Sequence, residues 1–240
     1  AVGGGAGRRS TAAAERGRAK SRGLPLDEWL SSCPLAERHH ILRDPGAQHG
    51  LLHRLDLETS GILCCSVSYR GYYLGLLQFV SRRVHKAYLC LCHGYASAER
   101  RLVEVPLLTA ALWPGGPLQS RASARGRAAC TELCSVAHLS HADGTTFSLV
   151  EVRLHTGRTH QIRAHLAGKG HPLVADVAYG GVAEPWCTRV FLHSSRLVLD
   201  VGDGPFDMRS PLPADLCEAL GTLATVGEES RALLAQSLGA

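Results

Sequence analysis

Alternation with a period of two runs through residues 146–154, where Val150, Val152 and Leu154 fall on one side, and predicts a strand. Residues 86–92 read the same way, with Tyr88, Cys90 and Cys92 on one face and Ala87 and Leu89 on the other. The continuous apolar stretch 62–68 predicts a buried strand. Tyr72, Tyr73, Leu76, Leu77 and Val80 recur at helical spacing and predict a helix over 69–80. Upstream, Leu26, Trp29 and Leu30 mark a short helix broken at Pro34, and residues 43–46 (Arg-Asp-Pro-Gly) form a turn. After the 146–154 strand, Gly157 ends the run, Thr159 is placed to cap a helix, and Gly168 or Gly170 closes it. Short strands follow over 189–199 and 205–208, then a stop at Pro211 and Pro213 and a helix over 214–223. There is no internal repeat and no regular βαβ order. The expected class is therefore α+β, a mixed, largely antiparallel sheet with flanking helices.

Composition adds bounds. In 240 residues, 45% hydrophobic, no apolar run approaches the ~18–20 positions of a membrane-spanning helix, so a membrane role has no support. The formal charge of +5 is carried by the first 23 residues, where six basic residues face the single acid Glu15; residues 24–240 are net neutral. Residues 1–23 read as a basic disordered tail, linker or transit peptide of a mitochondrion or plastid, residues 24–220 as one catalytic domain, and 221–240 as a C-terminal tail. Residues 114–127, with Arg121, Arg125 and Arg127 among Pro, Gly and Ser, read as a basic surface loop. Nine cysteines, an odd number with Cys64/Cys65 and Cys90/Cys92 inside apolar runs, point to buried thiols in an intracellular, reducing compartment. Cys90, Cys92 and His93 could begin a zinc site, but no second cluster completes it; no metal is expected, and a hydrolase using the thirteen histidines ranks last.

Two polar blocks carry candidate chemistry. Residues 52–61 set Asp56 next to Arg54 in a turn ending at Gly61. An ionised carboxylate can attack an electron-poor carbon or take a proton when a cation keeps it charged; alternatively Asp56 simply caps the turn. The second block, 156–165, holds Arg158, His160, Arg163 and His165. Four basic groups so close repel one another unless anions are near, so Arg163 is either the partner of Asp56 or a surface ion-pair residue. Tyr88 is either a packing residue or a ring that stacks on a flat substrate while its hydroxyl handles a proton.

The ordered elements His53-Arg54-Leu55-Asp56 with Thr59-Ser60-Gly61, Lys86-Ala87-Tyr88 leading to Gly94, Gly157-Arg158-Thr159-His160-Gln161-Ile162-Arg163 with His165-Leu166, Gly170-His171-Pro172 with Asp176 and Tyr179-Gly180, and Leu192-His193 resemble those of RluA-type RNA pseudouridine synthases from about residue 49 to 216. The resemblance implies an isomerase that turns uridine into pseudouridine in rRNA or tRNA with no cofactor, acting as a monomer. It implies catalysis by Asp56, stacking and proton handling by Tyr88, and a salt bridge from Arg163 that orients Asp56. Arg54 would contact RNA near an extruded base, joined by Arg158 and His160, and the basic groups of Arg82, Arg83, Arg121, Arg125 and Arg127 could hold the phosphates. The rival expectation is a catalytically silent RNA-binding protein that keeps the fold. The family's apolar strand and Lys-Pro segment before the Asp motif have no match in residues 1–48, so the sheet is expected to lack an edge. Ala175 stands where the family has Gly before Asp176.

Overall fold

In chain order the elements of the computed structural model are α1 (Leu26–Ser32), β1 (Ser60–Gly61), α2 (Tyr69–Val80), β2 (His85–His93), β3 (Arg101–Val103), β4 (Leu107–Ala111), β5 (Leu118–Ala122), β6 (Thr131–Ser140), β7 (Thr146–Leu154), α3 (Gln161–Gly168), β8 (Leu192–Asp200), β9 (Pro205–Arg209), α4 (Ala214–Gly221), β10 (Ala224–Thr225) and α5 (Glu228–Leu238). The structure describes residues 23–97, 99 and 101–238. All but the last residue of the basic N-terminal stretch read as a tail lie outside them.

Eight strands form one sheet in the order β1-β8-β2-β7-β6-β10, with β3 pairing β6 and β9 pairing β8. Only β1 runs parallel to its neighbour; every other pairing in this sheet is antiparallel, which is the expected α+β class. Because side chains alternate along β2, it feeds two cores. Tyr88, Cys90 and Cys92 pack with Val150, Val152, Leu154, Ile162 and Leu166 on one face. Leu89 and Leu91 pack with Leu139, Phe147, Phe191 and the apolar side of α4 on the other. A third cluster joins Leu30, Ile41, Leu42 and Leu52 to Tyr72 of α2 and Leu197 of β8.

Three of these expectations need correction, and one strand had no counterpart in the sequence pattern. Residues 62–68 are not a strand: Ser60–Gly61 pairs with His193 and Ser194 of β8, and the pairing ends with the bond from Ile62 N–H to Ser194 O (3.0 Å). Beyond it the backbone bonds locally instead, Cys64 N–H to His53 Nε2 (3.0 Å), Leu52 N–H to Cys64 O (3.0 Å) and Ser66 N–H to Gly50 O (2.8 Å). Cys65 is consequently exposed, while Cys64 is buried. The basic loop 114–127 contains β5, paired with β4 as a separate hairpin. β6 was invisible to a period-two reading because its register shifts between Leu133 and Ser135, a bulge that breaks the alternation. The stretch read as a C-terminal tail holds β10 on β6 and then α5, whose Leu233 and Leu234 pack on the second core.

Gly61 is the joint between the loop of residues 52–60 and the sheet. Its φ is +106°, and a Cβ there would lie 2.2 Å from Ser194 O, so only glycine lets the two backbones meet. A second left-handed position carries an ordinary side chain: Ala175 has φ +63°. Glycine at this site relieves a steric cost that exceeds the entropy glycine adds to the unfolded chain. Ala175→Gly is therefore expected to stabilise the protein by about 1 kcal/mol in urea unfolding.

Candidate active site

The loop of residues 52–60, the α2 end, the cavity-side face of β2 and the turn from β7 into α3 enclose a cavity of about 410 Å³. Of the residues singled out from sequence, Arg54, Asp56, Tyr88, Arg158, His160 and Arg163 all line it. Arg82, Arg83, Arg121 and Arg125 do not; they are exposed, the first pair after α2 and the second pair on β5 and the turn that follows.

Asp56 is not a turn cap. The turn closes through its carbonyl, which accepts the Thr59 N–H at 3.0 Å, and the carboxylate is left facing the cavity. Arg189 fixes the loop from outside, donating to Glu58 O (2.9 Å) and Ser60 Oγ (3.1 Å) while paired with Asp215 (2.6 Å). Across the cavity, Arg163 Nη1 stands 3.7 Å from Asp56 Oδ2, and His160 Nε2 stands 3.9 Å from Oδ1. Each carboxylate oxygen thus faces one nitrogen.

The primary hydrogen-bonding partner of Arg163 is a residue with no role assigned from sequence. Asp176, its carboxylate fully buried, accepts from Nε and Nη2 at 2.7 Å each. Such a fork-to-fork pair fixes the guanidinium plane, leaving Nη1 for Asp56. Burial works against the Arg163 charge, but the hydrogen bonds and charge of Asp176, helped by Asp56, hold its pKa above the ordinary arginine value. The Tyr179 ring lies under the guanidinium, 4.9 Å from Cζ.

Local structure positions these groups. Thr159 does not cap α3. The helix begins at Gln161, and His160 takes the capping position in a left-handed conformation (φ +51°). Buried Gln161 holds the turn instead: its Oε1 accepts from Thr156 Oγ1 (2.6 Å) and Arg158 N–H (3.0 Å), and its Nε2 donates to Cys130 O and Thr131 Oγ1 (2.9 Å each). Arg158 points back to Ala128 O (3.0 Å). Tyr88 is buried, so its phenol is held neutral; burial first, then the Asp56 charge, raise its pKa against a hydrogen bond to Ser194. Lys86, on the same face of β2, lines the cavity and has its pKa lowered by burial. Cys90 and Cys92 turn into the core, where burial raises their thiol pKa values, Cys92 to about 12, whereas His93 alternates to the other face and accepts from Val182 N–H. They do not converge on a point with it.

His53 stacks on Phe79 (5.1 Å between centroids) at the cavity edge. Burial, then the nearby Lys86 charge, depress its pKa to about 4 even though a backbone bond opposes the shift. A histidine that is neutral when folded takes up its proton on unfolding. Its contribution to stability is thus complete above the unfolded value near 6.5 and is lost as pH falls toward 4. The difference amounts to at most about 3 kcal/mol between pH 7 and pH 4. Urea midpoints should fall over that window, and the fall should be shallower in His53→Gln.

Comparison with known proteins fits this architecture. The model of the family described as RNA pseudouridylate synthase matches residues 36–168. The dual-specificity RNA pseudouridine synthase RluA of Vibrio vulnificus is 31% identical over 148 residues, 61% of this chain and 58% of that protein. Its counterpart from Vibrio parahaemolyticus is 32% identical over 168 residues, 68% of this chain and 66% of that protein. Among solved structures, human RNA pseudouridylate synthase domain containing 1 superposes with a TM-score of 0.65 at 28% identity, covering 79% of this chain and 80% of that one. The mixed, largely antiparallel sheet with flanking helices places the chain in the class of the pseudouridylate synthase fold. The chain belongs to the RNA pseudouridylate synthase family and is of the RluA type. It spans less than two thirds of the length of these two curated relatives.

Proposed function

We propose that this protein isomerises uridine to pseudouridine in structured RNA, rRNA or tRNA. The observation that carries the reading is the Asp56 carboxylate facing Arg163 Nη1 at 3.7 Å inside a cavity that Tyr88 also lines. The reaction breaks N1–C1′, turns the uracil and joins C5 to C1′, while N1 gains a proton and C5 loses one. No electrons are exchanged. Asp56 starts it, either by adding to C1′ or by removing the 2′ proton, with the Arg163 guanidinium as the cation opposite its carboxylate. Tyr88 stacks on the uracil, and its neutral hydroxyl takes part in moving the C5 proton. A paired base conceals the glycosidic bond, so the nucleotide leaves its stack at a cost of a few kcal/mol. Arg54, exposed at the cavity mouth, stands by the extruded base, while Arg158 faces the cavity and Arg82, Arg83, Arg121 and Arg125 hold phosphates.

The test is release of tritium from C5-labelled uridine in total rRNA and tRNA. Release on one of these RNAs supports the reading. RNA binding without release on either would leave a binding module that keeps the fold.

A further inference from the structure

Tyr179 joins the cavity to the β4–β5 hairpin. Its hydroxyl oxygen accepts the Ser120 N–H at 2.8 Å, and the same oxygen lies 3.0 Å from His160 Nδ1. Ser120, buried on β5, also donates through Oγ to Thr159 O at 2.6 Å, so the hairpin grips the residue before His160 as well. His160 itself sits in the left-handed region at φ +51°. That conformation costs a non-glycine residue on the order of 1–2 kcal/mol and persists only where surrounding contacts over-determine it.

Proton accounting selects one state of the ring. A phenol has one proton to donate, and the Ser120 amide already occupies an acceptor site of the oxygen. In the Nδ1–H tautomer of His160, the Tyr179 proton would lose its protein acceptor among the described residues and be left to solvent, and an unprotonated Nε2 would turn its lone pair toward the Asp56 carboxylate. With Nδ1 free, Tyr179 donates to it and Nε2 carries the hydrogen toward Asp56 Oδ1. We infer that His160 is a positioning residue, locked as its Nε2–H tautomer by the Ser120–Tyr179 chain, and that this N–H is the second donor to Asp56 beside Arg163.

The charges around the ring agree with a neutral imidazole. Burial lowers its pKa; Asp56 and Asp176 pull it up, and Arg163 and Arg54 push it down. The 3.9 Å separation closes to a hydrogen bond as substrate expels water from the cavity. The role rests on the proposed reading of Asp56, but the tautomer can be read without any activity.

The experiment is long-range ¹H–¹⁵N correlation of histidine-labelled protein at neutral pH, with the His160 signals assigned by their loss in His160→Gln. The expected spectrum has an unprotonated Nδ1 and a protonated Nε2 for His160. Tyr179→Phe, which keeps the ring beneath Arg163, should shift His160 toward the other tautomer or the cation. A protonated Nδ1 in the wild type, or no change in Tyr179→Phe, overturns the inference even if tritium release is normal. Kinetics give an independent arm. Glutamine places a donor near the Nε2 position, whereas asparagine reaches only as far as Nδ1. His160→Gln should therefore retain kcat about ten- to a hundredfold above His160→Asn at similar KM for RNA. Equal losses in both, or losses confined to KM, would make His160 an RNA contact instead. Absence of tritium release by the wild type with the expected spectrum would count against the enzyme reading and leave the tautomer standing.

Discussion

Asp56→Asn loses at least about a thousandfold in the rate of tritium release, with RNA affinity within a few-fold of wild type. Asparagine has the size of aspartate but neither its nucleophilicity nor its basicity, so both candidate first steps stop together. The fold should survive, because among the described residues the Asp56 side chain's ionic contacts stand at 3.7 and 3.9 Å, beyond hydrogen-bond distance, and the loop is held by Thr59, Arg189 and Gly61. Removing the carboxylate leaves Arg163 with its stronger partner, Asp176, intact. Single-turnover assays on saturating RNA with filter-binding controls would measure both quantities. Residual activity within tenfold of wild type would end the assignment of Asp56.

Asp176→Ala has the opposite profile: a large cost in stability, followed by loss of activity. It leaves Arg163, whose side chain is only 11% exposed, without the two 2.7 Å bonds that balance its desolvation. Removing one member of a buried pair costs on the order of 3–5 kcal/mol, more than an isolated surface bridge contributes. What folds should still bind RNA but turn over slowly, because the freed guanidinium can swing onto Asp56 and hold the carboxylate away from substrate. Urea unfolding and the tritium assay on the same preparation test both parts. A shift under about 1 kcal/mol with normal turnover would show that Arg163 is positioned by something else.

Much of the site was legible because its residues are costly to place anywhere else. Asp56, Arg163, Arg158 and His160 form dense polar blocks beside apolar strands, and the structure brings them to one cavity. Tyr88 followed from alternation along β2, which burial on both faces preserved. Asp176 was visible as a letter but not as a partner. Its approach to Arg163 depends on the left-handed turn at Ala175, and no local periodicity encodes such a turn. Ser120 was hidden for a different reason. The hairpin that carries it satisfies polar backbone and hydroxyl groups more than it buries apolar ones, so its sequence resembles a loop. The 62–68 segment failed in the reverse sense. It is apolar enough for a strand, but His53 and the backbone of residues 50–52 take its hydrogen bonds first.

The main-chain contact at Gly61 separates aim from recognition. Because the aspartate loop is keyed to β8 by bare peptide groups, its outer residues, such as Leu57 with its side chain almost wholly in solvent, are not needed to hold the carboxylate on target. A substitution at such an outer position would leave the business end of the loop pointing the same way across the cavity.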